Sequence, residues 1–103
     1  MWQLVGFIGG HGGTARRNRH CMLIAMGILT EYWRQSIGTQ LLEAFERWAK
    51  NNDIYRLELT VQESNDRARA LYEKFGFEYE GIKRDALKIN GQFIDERYMS
   101  KLL

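Results

Sequence analysis

The sequence predicts an α+β (α/β) domain with a mixed central sheet of about five strands and two helices. Three patterns lead to this fold class: a strand–helix–strand succession over residues 21–62, a second amphipathic helix, and a hairpin near the end of the chain. A strand–helix–strand crossover joins parallel strands, whereas a hairpin joins antiparallel ones. We therefore expect both pairings in one sheet.

Length, charge and composition limit the classes of protein to which this chain can belong. The chain has 103 residues, enough for one domain at most, and 15 basic against 13 acidic side chains give a net charge of +2. This balance does not indicate a nucleic-acid-binding protein. The single cysteine, Cys21, cannot form an intrachain disulfide. No apolar run approaches the roughly 20 residues of a membrane span, and no signal-peptide pattern is visible, so we expect a soluble cytoplasmic protein.

The first part of the chain predicts two strands around a loop. Residues 2–8 (WQLVGFI) form an apolar run of strand length, and residues 9–20 are glycine-rich and basic, which predicts a loop. The basic part of this loop is open to three interpretations: a solvated segment, a phosphate contact or a nucleic-acid patch. Residues 21–29 (CMLIAMGIL) are continuously apolar, as in a strand buried on both faces.

Two helices and three further strands follow. Apolar residues at three- and four-residue spacing predict a helix over residues 36–51, and residues 54–62 alternate like a strand parallel to the preceding one. A second helix is expected over residues 64–75, with Asn65 as its N-cap and Gly76 after its last residue. Strands are predicted over residues 77–85 and 93–102, and Asn90-Gly91 between them is a hairpin turn signal.

The start of the first helix resembles the phosphate loop of the GCN5-related N-acetyltransferases. Residues 33–38 (WRQSIG) stand where that family has Gln/Arg-x-x-Gly-x-Gly/Ala, with Trp33 replacing the usual Gln or Arg and Ser36 replacing the first glycine. A helix N-terminus offers free N–H groups to a phosphate, and small residues admit a ligand. The alternative is a strand–turn–helix with Ser36 as an ordinary N-cap.

A longer block carries the resemblance further along the chain. It joins the cap, core and polar positions of the second helix, in the order Asn65-Asp66-x-Ala68-x-Ala70-Leu71-Tyr72-x-Lys74-x-Gly76-Phe77. The ending of the chain, from Gly81 to Met99, is similar to the branch that acts on ribosomal-protein N-termini and diamines. The family domain usually begins with a strand, two helices and a further strand that are absent here. The resemblance therefore implies a single acetyltransferase domain over residues 1–103, truncated at its N-terminus.

The resemblance also implies the site. Tyr72 aligns with the tyrosine that protonates the leaving sulfur, although from the residues alone a core tyrosine on the inner face of the helix is the favoured interpretation. Residues expected to bind acetyl-CoA fall on the strand, the phosphate loop and the second cap: Met26, Ile28, Leu29, Trp33, Arg34, Gln35, Ser36, Ile37, Gly38, Thr39 and Asn65. The general base is not identified: His11 and His20 lie in or beside the loop, and Glu31 and Glu63 are candidates by position. No cluster has metal-ligand spacing.

The expected function is an acetyl-CoA-dependent N-acetyltransferase that transfers an acetyl group to a primary amine by direct attack in a ternary complex. The acceptor would be an amine-bearing small molecule or a protein N-terminus. Because the elements that form the acceptor side are missing, a non-catalytic acyl-CoA-binding or assembly module is the alternative. The apolar strand over residues 2–8 would lie at a sheet edge, which predicts a homo-oligomer. No nucleic-acid or membrane partner is expected.

Overall fold

The computed structural model describes residues 6–12, 17, 19–28 and 37–103, and at residues 6, 7, 27 and 28 it describes the backbone only. The chain forms five strands and two helices in the order β1 (Gly6–Gly12), β2 (Cys21–Ile28), α1 (Ile37–Asn51), β3 (Arg56–Gln62), α2 (Asp66–Phe75), β4 (Glu78–Ile89) and β5 (Gln92–Leu102).

All five strands belong to one sheet with the order β1-β2-β3-β5-β4. The pair β2–β3 is parallel, and the other three pairs are antiparallel. Helix α1 connects the two parallel strands, because parallel neighbours need a crossover rather than a tight turn. The mixed sheet and the two helices expected from the sequence are therefore confirmed.

The predicted first loop is wrong at its start. Strand β1 continues to Gly12, since each of its residues from Gly6 onward has a partner on β2. Close packing favours glycine at position 10: a Cβ there would lie 2.6 Å from the Met22 sulfur and 2.7 Å from Cζ of Phe45, so these side chains would have to shift. Gly10 thus marks where α1 approaches the strand rather than where the strand ends. Residues 1–5, at the start of the predicted strand, lie outside the described residues.

Strand β2 is buried on one face only, which corrects the expected burial on both faces. Met22 and Ile24 are buried, whereas Leu23 is 46% exposed. The reason is that both helices contribute to one core on one face of the sheet. That core contains Leu42 and Ala49 of α1, Ala68 and Tyr72 of α2, and the strand residues Met22, Ile24, Leu57, Leu59, Val61 and Met99. We call the opposite surface of the sheet the open face.

Helix α1 is described from Ile37 to Asn51 and ends where the sequence predicts, while residue 36, the predicted first residue, lies outside the described residues. Leu42 is 1% exposed and Ala49 is fully buried, as the helical spacing predicts. Trp48 has the helical spacing of an inner-face residue, yet it is 48% exposed, and its ring lies 5.5 Å from the ring of Phe45. In the described part of the chain, no helix is both long and apolar enough to cross a membrane.

The caps of α2 and the turn of the terminal hairpin are those predicted from the sequence. Asn65 Oδ1 accepts a hydrogen bond from the Ala68 N–H at 3.1 Å, and Gly76 follows the helix in a left-handed conformation (φ 105°). Asn90 and Gly91 both have positive φ angles (51° and 78°), as a two-residue hairpin turn requires. Strand β4 does not end at Asp85 as predicted: this residue (φ 51°) lies in a register shift, after which pairing resumes at Leu87.

Candidate active site

The parallel strands β2 and β3 separate part-way along their length. Their pairing covers three residue pairs, from Cys21↔Arg56 to Leu23↔Glu58, although β2 continues to Ile28 and β3 to Gln62. We call the gap between residues 24–28 and residues 59–62 the β2–β3 opening. The facing backbone edges in this gap carry N–H and C=O groups that do not pair with each other, so a ligand with amide groups can bond to them.

A groove of about 510 Å³ occupies the opening. Its walls combine the glycine-rich end of β1, the apolar residues of β2, one residue of β3 and one of α2: Gly9, Gly10, His11, Leu23, Ile24, Ala25, Met26, Thr60 and Tyr72. The lining is thus mainly apolar, with three side chains that can donate or accept hydrogen bonds. Met26, expected on the cofactor-binding strand, lies in this groove.

Tyr72 reaches the groove from α2. It is 8% exposed, and its ring meets the ring of Phe77 edge-on at a centroid distance of 5.7 Å. Burial raises the pKa of the Tyr72 phenol, because removal from water disfavours the charged form. The residue is therefore both a member of the hydrophobic core and a protonated hydroxyl at neutral pH beside the opening.

The start of α1 follows the end of β2 after residues 29–36, which include the expected cofactor-binding residues Leu29, Trp33, Arg34, Gln35 and Ser36 and lie outside the described residues. Ile28 is placed on β2 by its backbone. In the first turn of α1, Ile37 and Thr39 are half-buried and Gly38 is buried. Gly38 therefore packs into the domain, and a contact of Ile37, Gly38 or Thr39 with the cofactor stays a prediction.

Asn65 acts as the N-cap of α2, through its bond to the Ala68 N–H. Its carbonyl also accepts the Arg69 N–H at 3.0 Å, so it fixes the start of the helix that carries Tyr72. Asn65 is exposed and does not line the groove. The structure thus gives it a structural role, and a contact with the cofactor stays a prediction.

The four candidates for the general base differ in their surroundings. Glu63 receives a hydrogen bond from Arg97 Nη2 at 2.9 Å, and this bond lowers the pKa of the Glu63 carboxyl, which makes it a weak proton acceptor. Glu31 lies outside the described residues. His11 lines the groove, whereas His20 is in the turn before β2, where its carbonyl accepts the Tyr55 N–H at 2.9 Å. Sequence reasoning named His11 without giving it a role, because it placed residues 9–12 in a loop.

A second cavity, of about 280 Å³, adjoins the groove and shares Leu23 and Thr60 with it. Its polar wall consists of Arg56, Glu58 and Glu80: Arg56 Nε donates to Glu58 Oε2 at 2.9 Å and Nη1 donates to Glu80 Oε2 at 3.1 Å. Tyr98 contributes an aromatic side chain. Within the described ranges, no three His, Cys, Asp or Glu side chains converge as a metal site would require.

Comparison with known proteins gives several relatives. A candidate ribosomal protein bS18-alanine N-acetyltransferase of Bacillus subtilis (strain 168) is 37% identical over 67 residues, which is 65% of this chain and 44% of the relative. A GNAT-family acetyltransferase structure from Streptococcus pneumoniae superposes with a TM-score of 0.91 and 37% identity, over 96% of this chain and 60% of that one. The chain thus spans about half of these relatives.

A more distant structure shares the fold alone: a phosphinothricin acetyltransferase from Sinorhizobium meliloti in complex with AcCoA, with a TM-score of 0.86 and 18% identity over 96% of this chain and 54% of that one. The sequence model of the "Acetyltransferase (GNAT) family" matches residues 3–77. Because this match covers more than half of the chain, the protein belongs to the GNAT acetyltransferase family.

Proposed function

We propose that the protein is an acetyl-CoA-dependent N-acetyltransferase that transfers an acetyl group to a primary amine by direct attack within a ternary complex. The observation that carries the proposal is the β2–β3 opening with Tyr72 beside it. A sheet that separates while both strands continue leaves backbone hydrogen bonds unmade, and a bound ligand can supply them. Membership in the GNAT family identifies acetyl-CoA as that ligand.

The cofactor would lie along β2. Its pantetheine arm carries two amide groups, which can bond to the backbone edge of residues 24–28 as an added strand does. Met26 would contact the arm from the groove, and Ile28 and Leu29 would continue the same edge. The pyrophosphate would bind at the start of α1, over residues 33–39, where N–H groups and the helix dipole favour an anion. The free amide nitrogen of Asn65 remains available for a contact.

Tyr72 would act as the general acid. The thiolate of CoA is a better leaving group when it is protonated as the C–S bond breaks. The phenol of Tyr72 lines the groove, and burial raises its pKa, so it holds a proton throughout the physiological range. A raised pKa keeps the donor loaded as pH rises, and activity supported by Tyr72 is lost only when the phenol ionises at strongly alkaline pH.

The acceptor would enter through the second cavity. This cavity holds two carboxylates, Glu58 and Glu80, against one guanidinium, that of Arg56, so its net charge attracts a cationic amine. The hydrogen bond from Arg56 lowers the pKa of Glu80, which keeps this carboxylate ionised at neutral pH. An amine-bearing small molecule or a protein N-terminus fits this chemistry, and the name of the Bacillus subtilis relative refers to a ribosomal-protein alanine.

We further propose a cytoplasmic homo-oligomer. In the part of the chain that the structure describes, β1 is an edge strand with one neighbour, β2, and an edge strand offers free backbone groups to a second copy. Sedimentation of the wild type and of Phe7→Lys tests this contact. We expect the variant to contain more monomer, and a wild type that stays monomeric at high concentration would contradict the proposal.

Removal of the Tyr72 hydroxyl tests the catalytic assignment. Tyr72→Phe keeps the ring contact with Phe77 and removes the proton donor, so we expect kcat for acetyl transfer to an amine to fall about 10²–10⁴-fold with a smaller change in acetyl-CoA affinity. Turnover measured on a panel of amines and calorimetry with acetyl-CoA give the two quantities. Tyr55→Phe is the matched control, because Tyr55 is 54% exposed and lies outside the groove.

The outcomes separate the two candidate functions. Full turnover in Tyr72→Phe would make Tyr72 a core residue without a catalytic role. Binding of acetyl-CoA by the wild type without transfer to any amine would identify a non-catalytic acyl-CoA-binding module instead. Absence of acetyl-CoA binding would reject both functions.

A further inference from the structure

We propose that His11 is the general base that removes the proton from the acceptor amine before the amine attacks acetyl-CoA. The inference rests on the proposed acetyltransferase activity and adds the residue that was missing from it. An alkyl primary amine has a pKa near 10 and a protein N-terminus one near 8, so only about one molecule in a thousand of the first and about one in ten of the second is neutral at pH 7. An enzyme that uses such an acceptor benefits from a base beside the reacting atoms.

The register of the sheet brings His11 to the point where the opening begins. His11 lies directly opposite Leu23, and Leu23 lies opposite Glu58, the last pair of the β2–β3 ladder. Directly opposite residues of an antiparallel pair share a face of the sheet, so His11 and Leu23 are both on the open face. The neighbouring Gly10 faces the helices, where Met22 and Phe45 approach it.

His11 and Tyr72 therefore approach one groove from opposite sides. Tyr72 belongs to α2, on the covered face, and His11 extends from β1 on the open face, the side of the acceptor cavity. Direct attack can use two separate groups, because the tetrahedral intermediate loses a proton at the amine nitrogen and gains one at the sulfur, which are two different atoms bound to one carbon. One residue then accepts a proton from the nucleophile and the other supplies one to the leaving group.

Other titratable groups around the groove are less suited to the task. In the register of the sheet, the titratable residues that neighbour His11 are Cys21 of β2 and, one strand further, Arg56 and Glu58 of β3, and Tyr72 of α2 lines the same groove. Helix α1 lies on the other face of the sheet, where Phe45 approaches Gly10. Glu58 already accepts a hydrogen bond from Arg56. Among the described residues, no hydrogen bond or ion pair engages the His11 imidazole. Histidine is also the side chain that exchanges protons most readily near neutral pH.

The proton balance follows from these positions. His11 takes one proton from the ammonium group and releases it to solvent. The neutral amine then forms an N–C bond to the thioester carbon, the nitrogen loses its second proton to the unprotonated His11, and the C–S bond breaks. Tyr72 protonates the departing sulfur and regains its proton from solvent. The sum is one ammonium and one acetyl-CoA converted to one amide, one CoA thiol and one proton.

The pH dependence of His11→Gln tests this role. We expect kcat/KM at pH 7 to fall about 10²-fold and the loss to shrink as pH rises, because the acceptor then loses its proton without help. An acceptor amine with a pKa below 7 should show a much smaller loss at the same pH. His20→Gln is the matched control, since His20 is the other histidine of the chain and lies outside the groove. Equal pH profiles for wild type and His11→Gln would overturn the assignment.

A binding measurement keeps the inference testable without turnover. The chain has two histidines, so spectra of the imidazole Cε1–H groups contain two signals, which the two variants assign. We expect saturation with acetyl-CoA to shift the His11 signal and leave the His20 signal in place. Acetyl-CoA binding with an unmoved His11 signal would overturn the role of His11 and leave the cofactor site intact. Turnover lost equally at all pH values would show a structural role instead.

Discussion

Strand β3 pairs very differently with its two neighbours. Its ladder with β5 covers seven residue pairs from Arg56↔Leu102 to Gln62↔Glu96, whereas its ladder with β2 stops after three. Both β2 and β3 continue beyond the third pair of their ladder, so the opening between them does not result from a short strand. The edge of β3 that faces β5 is paired along the strand and belongs, with α2, to the core. The edge of β3 that faces β2 leaves backbone groups for a ligand. Strand β3 is thus held by β5 along one edge and borders the candidate site along the other.

The largest loss of stability is expected from a truncation in the core beside the β3–β5 ladder. Met99 of β5 is 1% exposed and lies opposite Leu59, so Met99→Ala should lower the free energy of unfolding by about 2–5 kcal/mol. Leu102→Ala is the control on the same strand: Leu102 is 59% exposed, and its truncation should cost less than about 0.5 kcal/mol. Urea denaturation measures both. Equal losses in the two variants would show that the core is not organised around the β3–β5 ladder.

A smaller effect is expected where α1 approaches the end of β1. A Cβ at Gly10 would overlap Met22 and Phe45, so Gly10→Ala should cost about 1–3 kcal/mol of unfolding free energy. Gly9→Ala should be close to neutral or slightly stabilising, because nothing lies within 4 Å of a Cβ at that position. Thermal unfolding of the pair compares the covered and open faces at neighbouring residues. A larger loss in Gly9→Ala would reverse the assignment of the two faces.

The smallest effect concerns the helix that carries Tyr72. Asn65→Ala removes the acceptor of the Ala68 N–H and should lower the free energy of unfolding by about 1 kcal/mol. Asn65→Asp keeps an oxygen at the cap, so it should retain the stability. Comparison of acetyl-CoA affinity in the two variants then isolates the amide nitrogen. Affinity lost in Asn65→Asp at unchanged stability would support a direct contact with the cofactor, and unchanged affinity would leave Asn65 as a cap alone.

Much of the fold follows from local sequence patterns. The caps at Asn65 and Gly76, the turn at Asn90-Gly91 and the crossover around α1 were all predictable, because each depends on a few neighbouring residues. The extent of β1 was not predictable in this way. Its glycines resemble a loop, and they belong to a strand because β2 offers partners and α1 needs the space at Gly10.

The candidate site likewise contains one part that local sequence predicts and another that depends on the folded arrangement. Tyr72 was predicted from the block around the second helix, and the structure places it beside the opening. The end of the β2–β3 ladder at Leu23↔Glu58 and the register of His11 are pairings between segments distant in the chain. Apolar periodicity does not encode where two continuing strands separate, so the groove and the position of His11 in its lining are visible only in the folded arrangement.

Amide hydrogen exchange with and without acetyl-CoA tests the central claim most directly. The account predicts that, within residues 24–28 of β2, the N–H groups that point away from β1 and into the opening exchange faster than the paired β3–β5 ladder in the free protein and become protected when acetyl-CoA binds. The β3–β5 ladder should change little, because its hydrogen bonds are already made. Acetyl-CoA binding that protects other segments and leaves residues 24–28 unchanged would contradict the assignment of the β2–β3 opening as the cofactor site.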